Sequence, residues 1–142
     1  MSTLGSAITA SASALNAERQ RIEVAVSNLA NAESTRGPDG QPYKRKDVVL
    51  ASQPTEQFQD LLSRANATGV RVAAVVDDQS APRRRYEPSH PDADSEGYVS
   101  LPNVDTAEEM VDMLGAARAY QANLTAIGLI RDTIQRALEL GK

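Results

Sequence analysis

Cysteine is absent from this chain of 142 residues, which excludes disulfides, thiolate metal sites and cysteine nucleophiles. Tryptophan is absent too, and aromatic residues make up only 4% of the chain, so the core is expected to be thin rather than wrapped around a deep pocket. A single histidine, His90, would have to fill every imidazole role, and no G-x-S-x-G or phosphate-cradling glycine loop accompanies it. An enzyme reading therefore lacks residues to work with. No run of about 20 apolar residues exists, so no transmembrane helix is expected. The opening MSTLGSAITASASALNAERQ has neither a basic start nor a continuous apolar stretch, so it does not read as a secretory signal peptide. Export, if it occurs, is expected by a signal-independent route. The net charge of −4 suggests neither nucleic acid nor an anionic membrane as partner.

Proline is missing from both flanks, and this is the clearest organising feature. All seven prolines lie between positions 35 and 103. Proline in a helix interior costs about 3 kcal/mol, so the chain reads as helix, irregular middle, helix. The reading divides it into an N-terminal helical part at 1–34, a proline-containing middle with short strands at 35–103, and a C-terminal helical part at 104–142. The fold class is mainly α, with the long terminal helices paired as an antiparallel, coiled-coil-like hairpin.

In the first flank Leu4, Ile8, Ser11, Leu15, Glu18, Ile22, Ala25 and Leu29 follow alternating steps of four and three, the spacing of a heptad seam. In the last flank the same spacing selects Met110, Met113, Ala117, Tyr120, Leu124, Ile127, Arg131, Ile134 and Leu138. Its start carries Thr106 as an expected N-cap, with Glu109 three residues on as a capping box. Opposite this seam Val111, Gly115, Ala122, Leu129, Thr133 and Leu140 form a second, weaker stripe, where a solvated helix would carry Lys and Glu. Two-sided contact is expected. In the middle, 47–50, 69–78 and 97–102 read as strands, and 55–65 as a short helix over Phe58, Leu61 and Leu62.

Asparagine disfavours helix interiors because its amide competes for backbone groups, yet Asn28 and Asn31 sit in the last turns of the first helix. By angle they face away from the large seam residues, on a side of small residues that a second neighbour can approach.

Two stretches resemble chemical sites. HPDADSEG places Asp92, Asp94, Glu96 and Gly97 like the opening of an EF-hand loop, but its twelfth position is Asn103 and a strand follows it instead of a helix. A solvated β-turn is the plainer reading, and a small calcium-binding module is the runner-up. The basic runs RRRYEP and YKRKD carry a tyrosine each, but acidic neighbours at 77–78 and 92–96 argue against nucleic acid. Intersubunit ion pairing or solubility is the expected role. No metal, cofactor or catalytic residue is assigned.

The stretch SALNAERQRIEVAVSNLANAESTRGPDGQPYKRKDVVL resembles the rod-protein motif shared by the axial proteins of the bacterial flagellum. The stretch from VRVAAVVDD to YQANLTAI is similar to the short, C-type proximal-rod proteins, with HPDADSEGYV and PNV narrowing the choice. Together they cover most of the chain; ASQPTEQFQDLLSRANATG matches least. The resemblance implies terminal helices packed as a hairpin in a hollow rod, with the β-containing part outside. It also implies export through the flagellar type III apparatus without a cleaved signal, and assembly into a drive shaft joining the membrane ring to the distal rod and hook. The implied partners are further copies of the chain, other rod subunits and a ring–rod adapter. The residues expected to serve packing and assembly are Leu15, Ile22, Ser27, Asn28, Leu29, Asn31, Met113, Tyr120, Leu124, Ile127, Leu129, Ile134 and Leu138. Leu29 is expected to face inward, with the amides turned to neighbouring subunits or to the following loop.

Overall fold

The computed structural model describes residues 2–37, 39–53 and 68–140. Two helices dominate: α1 spans Ser2–Ala30 and α2 spans Thr106–Leu140. They pack on each other, the end of α1 beside the start of α2, as the antiparallel hairpin expected from the proline-free flanks. The expected helix at 55–65 lies outside the described residues.

Between the helices stand two small antiparallel ribbons. Strand β1 (Lys46–Gln53) pairs with β2 (Gly69–Asp77), with Lys46 opposite Asp77, Gln53 opposite Gly69 and a bulge at Val49/Leu50. Strand β3 (Arg83–Tyr86) pairs with β4 (Tyr98–Leu101), with Tyr86 opposite Tyr98. An isolated two-stranded ribbon is marginal in water. The first ribbon is supported by lying against α1. There β2 comes in close: the Ser13 hydroxyl accepts from the Val70 amide at 3.0 Å and donates to the Ala10 carbonyl at 2.7 Å. A Cβ on Gly69 would sit 2.9 Å from that hydroxyl oxygen, so only glycine permits the approach. The second ribbon carries buried large aliphatic residues, Val99 and Leu101, with buried Val104 just after it.

The helix pair is built differently. Its fully buried apolar residues are Ala17, Ala25 and Ala116. Leu4, Ile8, Leu15, Ile22 and Leu29 of α1 are half-buried, as their seam predicts, whereas Val26, placed on the same side by angle, is exposed. On α2 the covered line is Glu109, Met113, Ala116, Tyr120, Asn123, Ile127, Ile130 and Ile134. This line keeps Met113, Tyr120, Ile127 and Ile134 of the expected seam but replaces Met110, Ala117, Leu124 and Arg131 by the residue before each. The physical reason is the rotation of α2 about its own axis: Asn28 and Arg45 hold Glu109 inward, which brings Ala116, Asn123 and Ile130 to the same side and leaves Met110, Ala117, Leu124 and Arg131 exposed.

The start of α2 also differs from expectation. Asp105, not Thr106, is the N-cap: its Oδ1 accepts from the Ala107 amide at 2.8 Å and the Glu108 amide at 3.3 Å. Glu109 is thereby released from the expected capping box, and its side chain turns inward.

Candidate functional site

Asn28 lies where α1, α2 and the start of β1 converge, and it is 1% exposed. A primary amide offers two donor hydrogens and an oxygen with two lone pairs, and all four are used. The nitrogen donates to the Lys46 carbonyl at 2.9 Å and to Glu109 Oε2 at 3.0 Å. The oxygen accepts from the Lys46 amide at 2.9 Å and from the Tyr43 hydroxyl at 2.9 Å. Tyr43, its hydrogen committed to Asn28, is left to accept from the Ser27 hydroxyl at 3.2 Å. The amide is therefore not directed to neighbouring subunits. It reaches the following segment, one of the two roles expected, and also the second helix.

Glu109 is 2% exposed and completes the cluster through Arg45, whose Nε donates to Oε1 at 2.6 Å. The other side of Arg45 reaches Asp47 at 2.8 Å. Burial acts to lower the Arg45 guanidinium, but hydrogen bonds and charge from Asp47 and Glu109 outweigh it and hold the group above its ordinary value. Among the described residues no buried side-chain nitrogen or oxygen lacks a partner.

Asn31 does a different job. Its nitrogen donates to the Ser27 carbonyl at 2.8 Å, and its own carbonyl receives the Ser34 amide and hydroxyl at 3.0 and 2.8 Å. It closes the end of α1. The two asparagines of the motif thus divide the work: one joins three elements, the other terminates a helix.

Of the remaining expected residues, Leu15, Ile22, Leu29, Met113, Tyr120, Ile127 and Ile134 are half-buried along the hairpin. Leu124 is 47%, Leu129 64% and Leu138 63% exposed, and Met110, Val111, Leu114 and Leu140 are exposed with them. The outward line of α1, in contrast, is Gly5, Thr9, Ala12, Asn16, Arg19, Glu23, Val26 and Ala30. One helix presents large apolar side chains, the other mostly small or polar ones.

The acidic turn is an internal brace. Asp94 Oδ1 accepts from the Glu96 and Tyr98 amides at 2.9 Å each, and Oδ2 takes Arg84 at 2.6 Å. Asp92 binds the Thr35 hydroxyl and the Arg36 guanidinium, each at 2.7 Å. The three arginines of the basic run are likewise engaged within the chain, Arg83 with the Pro102 carbonyl and Arg85 with Glu33 and Glu87. Within the subunit, then, the charges of that run already have partners. Among the described residues no group of three acidic or imidazole side chains is placed to hold a metal.

The residues whose part in this cluster the sequence did not reveal are Tyr43, Arg45, Lys46 and Glu109. Their signal was faint, since nothing local relates Arg45 or Lys46 to positions far along the chain. Asn28 itself, a poor helix former next to Ser27, was the one available pointer.

Comparison with known proteins completes the picture. Residues 8–38 match the family described as flagella basal body rod protein, and residues 95–140 match the flagellar basal body rod FlgEFG protein C-terminal family. The flagellar basal-body rod protein FlgC of Escherichia coli O157:H7 is 46% identical over 131 residues, covering 92% of each chain. That of Bacillus subtilis is 43% identical over 145 residues, 95% of this chain and 96% of its own. That of Borreliella burgdorferi is 40% identical over 147 residues, 96% and 97% respectively. The helices that meet at Asn28 and Glu109 are the parts the two family models match, and this chain belongs to the FlgC family of flagellar basal-body rod proteins, structural subunits of the rod.

Proposed function

We propose that the chain is a proximal-rod subunit whose terminal helices 1–34 and 104–142 form its assembly part, with the middle 35–103 outside. It would join further copies of itself and related rod subunits into the drive shaft between the membrane ring and the distal rod and hook. The observation that carries this reading is the outer face of α2. Val111, Leu114, Leu129 and Leu140 stand exposed along one side of a 35-residue helix, and an isolated soluble hairpin has no use for them there. The small outer residues of α1, Gly5, Thr9 and Ala12, offer the complementary surface. Large side chains on one helix meeting small ones on a different helix make a head-to-tail contact, which propagates into a helical array instead of closing.

On the same reading the chain travels through the flagellar type III export apparatus without a cleaved signal, and a ring–rod adapter meets one end of the array. Among the described residues no helix is long and apolar enough to cross a membrane. The role is structural, not catalytic. Leu15, Ile22, Leu29, Met113, Tyr120, Ile127 and Ile134 hold the subunit together, and Leu124, Leu129 and Leu138 meet neighbours.

The test is Leu129→Asp. Its side chain is exposed in the single subunit, so the change leaves the hairpin intact, but it places a charge in the proposed contact, at a cost of several kcal/mol if unpaired. Motility and the amount of the subunit in isolated basal bodies are expected to fall at least tenfold while synthesis and export continue. Normal incorporation would remove this face from the assembly.

A further inference from the structure

We propose that the buried cluster of Asn28, Glu109 and Arg45 sets the axial register of α2 on α1, selecting one alignment from a pair of helices that otherwise permits several. The large half-buried residues of α1 recur every seven positions as Ile8, Leu15, Ile22 and Leu29. Those of α2 recur with the same period as Met113, Tyr120, Ile127 and Ile134. A slip of seven residues, about 10 Å along the axis, exchanges one large apolar residue for another. The fully buried alanines Ala17, Ala25 and Ala116 discriminate poorly as well.

A competing alignment even has an attraction. α2 has 35 residues against 29 in α1, and Leu138 is 63% exposed near the free end of α2. Sliding α2 so that its far end overlaps α1 would cover that residue.

The polar cluster occurs once. Seven residues from Asn28 stand Arg21 and Thr35; seven from Glu109 stand Pro102 and Ala116. A slip in either direction separates Glu109 from Asn28 Nδ2 and Arg45 Nε, which it now meets at 3.0 and 2.6 Å. A buried carboxylate and a buried amide would lose their partners together. Because Asn28 also holds both backbone groups of Lys46, the same alignment places β1.

The absence of cysteine gives a clean background for testing this in assembled basal bodies. Ala25 and Asp112 line one small cavity beside the cluster, so the pair Ala25→Cys with Asp112→Cys reports the observed register. Ala25→Cys with Ala119→Cys reports a slip of seven. With the cluster intact, a short thiol cross-linker should join the first pair at least tenfold more than the second. With Asn28→Leu and Glu109→Leu added, that ratio should fall towards one.

If the double-leucine chain does not assemble, an exchange decides. Asn28→Asp faces one carboxylate with another and should lower incorporation at least tenfold. Adding Glu109→Gln returns an amide–carboxylate hydrogen bond with the amide now on α2, and should restore part of it, since the donor to the Lys46 carbonyl is not replaced. An unchanged cross-linking ratio in the double-leucine chain overturns the proposal, and so does a failure of Glu109→Gln to rescue Asn28→Asp.

Discussion

Arg45 Nε and Glu109 Oε1 lie 2.6 Å apart although 64 residues separate them, and the carboxylate is almost wholly removed from water. Deleting one partner of such a pair leaves a buried charge uncompensated, a loss of about 3–5 kcal/mol, whereas replacing both by apolar residues of similar size is often neutral. Arg45→Met is therefore expected to reduce the subunit in isolated basal bodies more than tenfold. Arg45→Met combined with Glu109→Met should recover only part of the loss, because the buried Asn28 amide then lacks one acceptor; immunoblotting of the purified basal bodies is the measurement. Equal damage from the single and double variants would show that the attraction itself, and not relief of a stranded charge, matters there.

Gly97 has a φ of +83°, and a Cβ there would lie 2.9 Å from Tyr86 Cε2 and 3.1 Å from Pro88 Cβ. Backbone strain of this kind costs about 1–3 kcal/mol before the steric clash is added. Gly97→Val should loosen the β3–β4 ribbon, seen as new protease cleavage between positions 80 and 100 and as reduced motility. Gly97→Ala should do the same to a smaller degree.

The Asp94 carboxyl is held below its ordinary value, chiefly by the Tyr98 amide, with smaller help from the Glu96 amide and Arg84 and against the opposing effect of desolvation. A depressed folded value means stabilisation that is present above the unfolded-state value and lost as pH falls through the folded one. The turn should therefore hold down to about pH 4, near the unfolded-state value, and loosen below it. The amide resonances of Glu96 and Tyr98, followed through an acid titration, report this directly. In Asp94→Asn the side-chain oxygen still accepts from both amides, so the turn should persist at neutral pH and lose its acid sensitivity. Motility of Asp92→Asn with Asp94→Asn should remain close to normal, and its abolition despite normal export would point back to an ion at this turn.

In dilute solution the terminal helices should be the first parts cut. Among the described residues the fully buried apolar side chains of α1 and α2 are all alanine, while Val99, Leu101 and Val104 lie in and beside the second ribbon. Each large residue buried contributes about 1.5–3 kcal/mol, and the helix pair buries none completely. Limited proteolysis of the isolated chain should trim roughly 1–34 and 105–142 before the ribbons, and terminal helices that resist protease in that state would contradict this.

How much was legible follows from range. The helices and the ribbon strands at 69–77 and 98–101 show in local pattern, because proline placement and apolar spacing act over a few residues. Strand β3 did not show: Arg83, Arg84 and Arg85 read as a charge run, and they become a strand through pairing with β4 and through Tyr86 meeting Tyr98 edge-on at 5.3 Å. The inner line of α2 was missed at alternate positions because Glu109 and Asn123 look less like core than Met110 and Leu124 do, and because nothing local separates Ala116 from Ala117. Glu109 read as a capping residue because Thr106 stood three positions before it. Its true partners, Asn28 and Arg45, lie 81 and 64 positions away, beyond any local pattern.

The segment that leaves α1 is fastened at both ends. Asn31 and Ser34 tie its beginning to the helix, while Glu33, Thr35 and Arg36 bind Arg85 and Asp92 of the second ribbon and its turn. A rotating rod loses twist wherever one part can turn against the next without resistance. Here that stretch is tied to the elements on both sides of it. With the subunit standing in the rod as proposed, a load on the second ribbon would reach the end of α1 through these contacts and not through an unfastened connection.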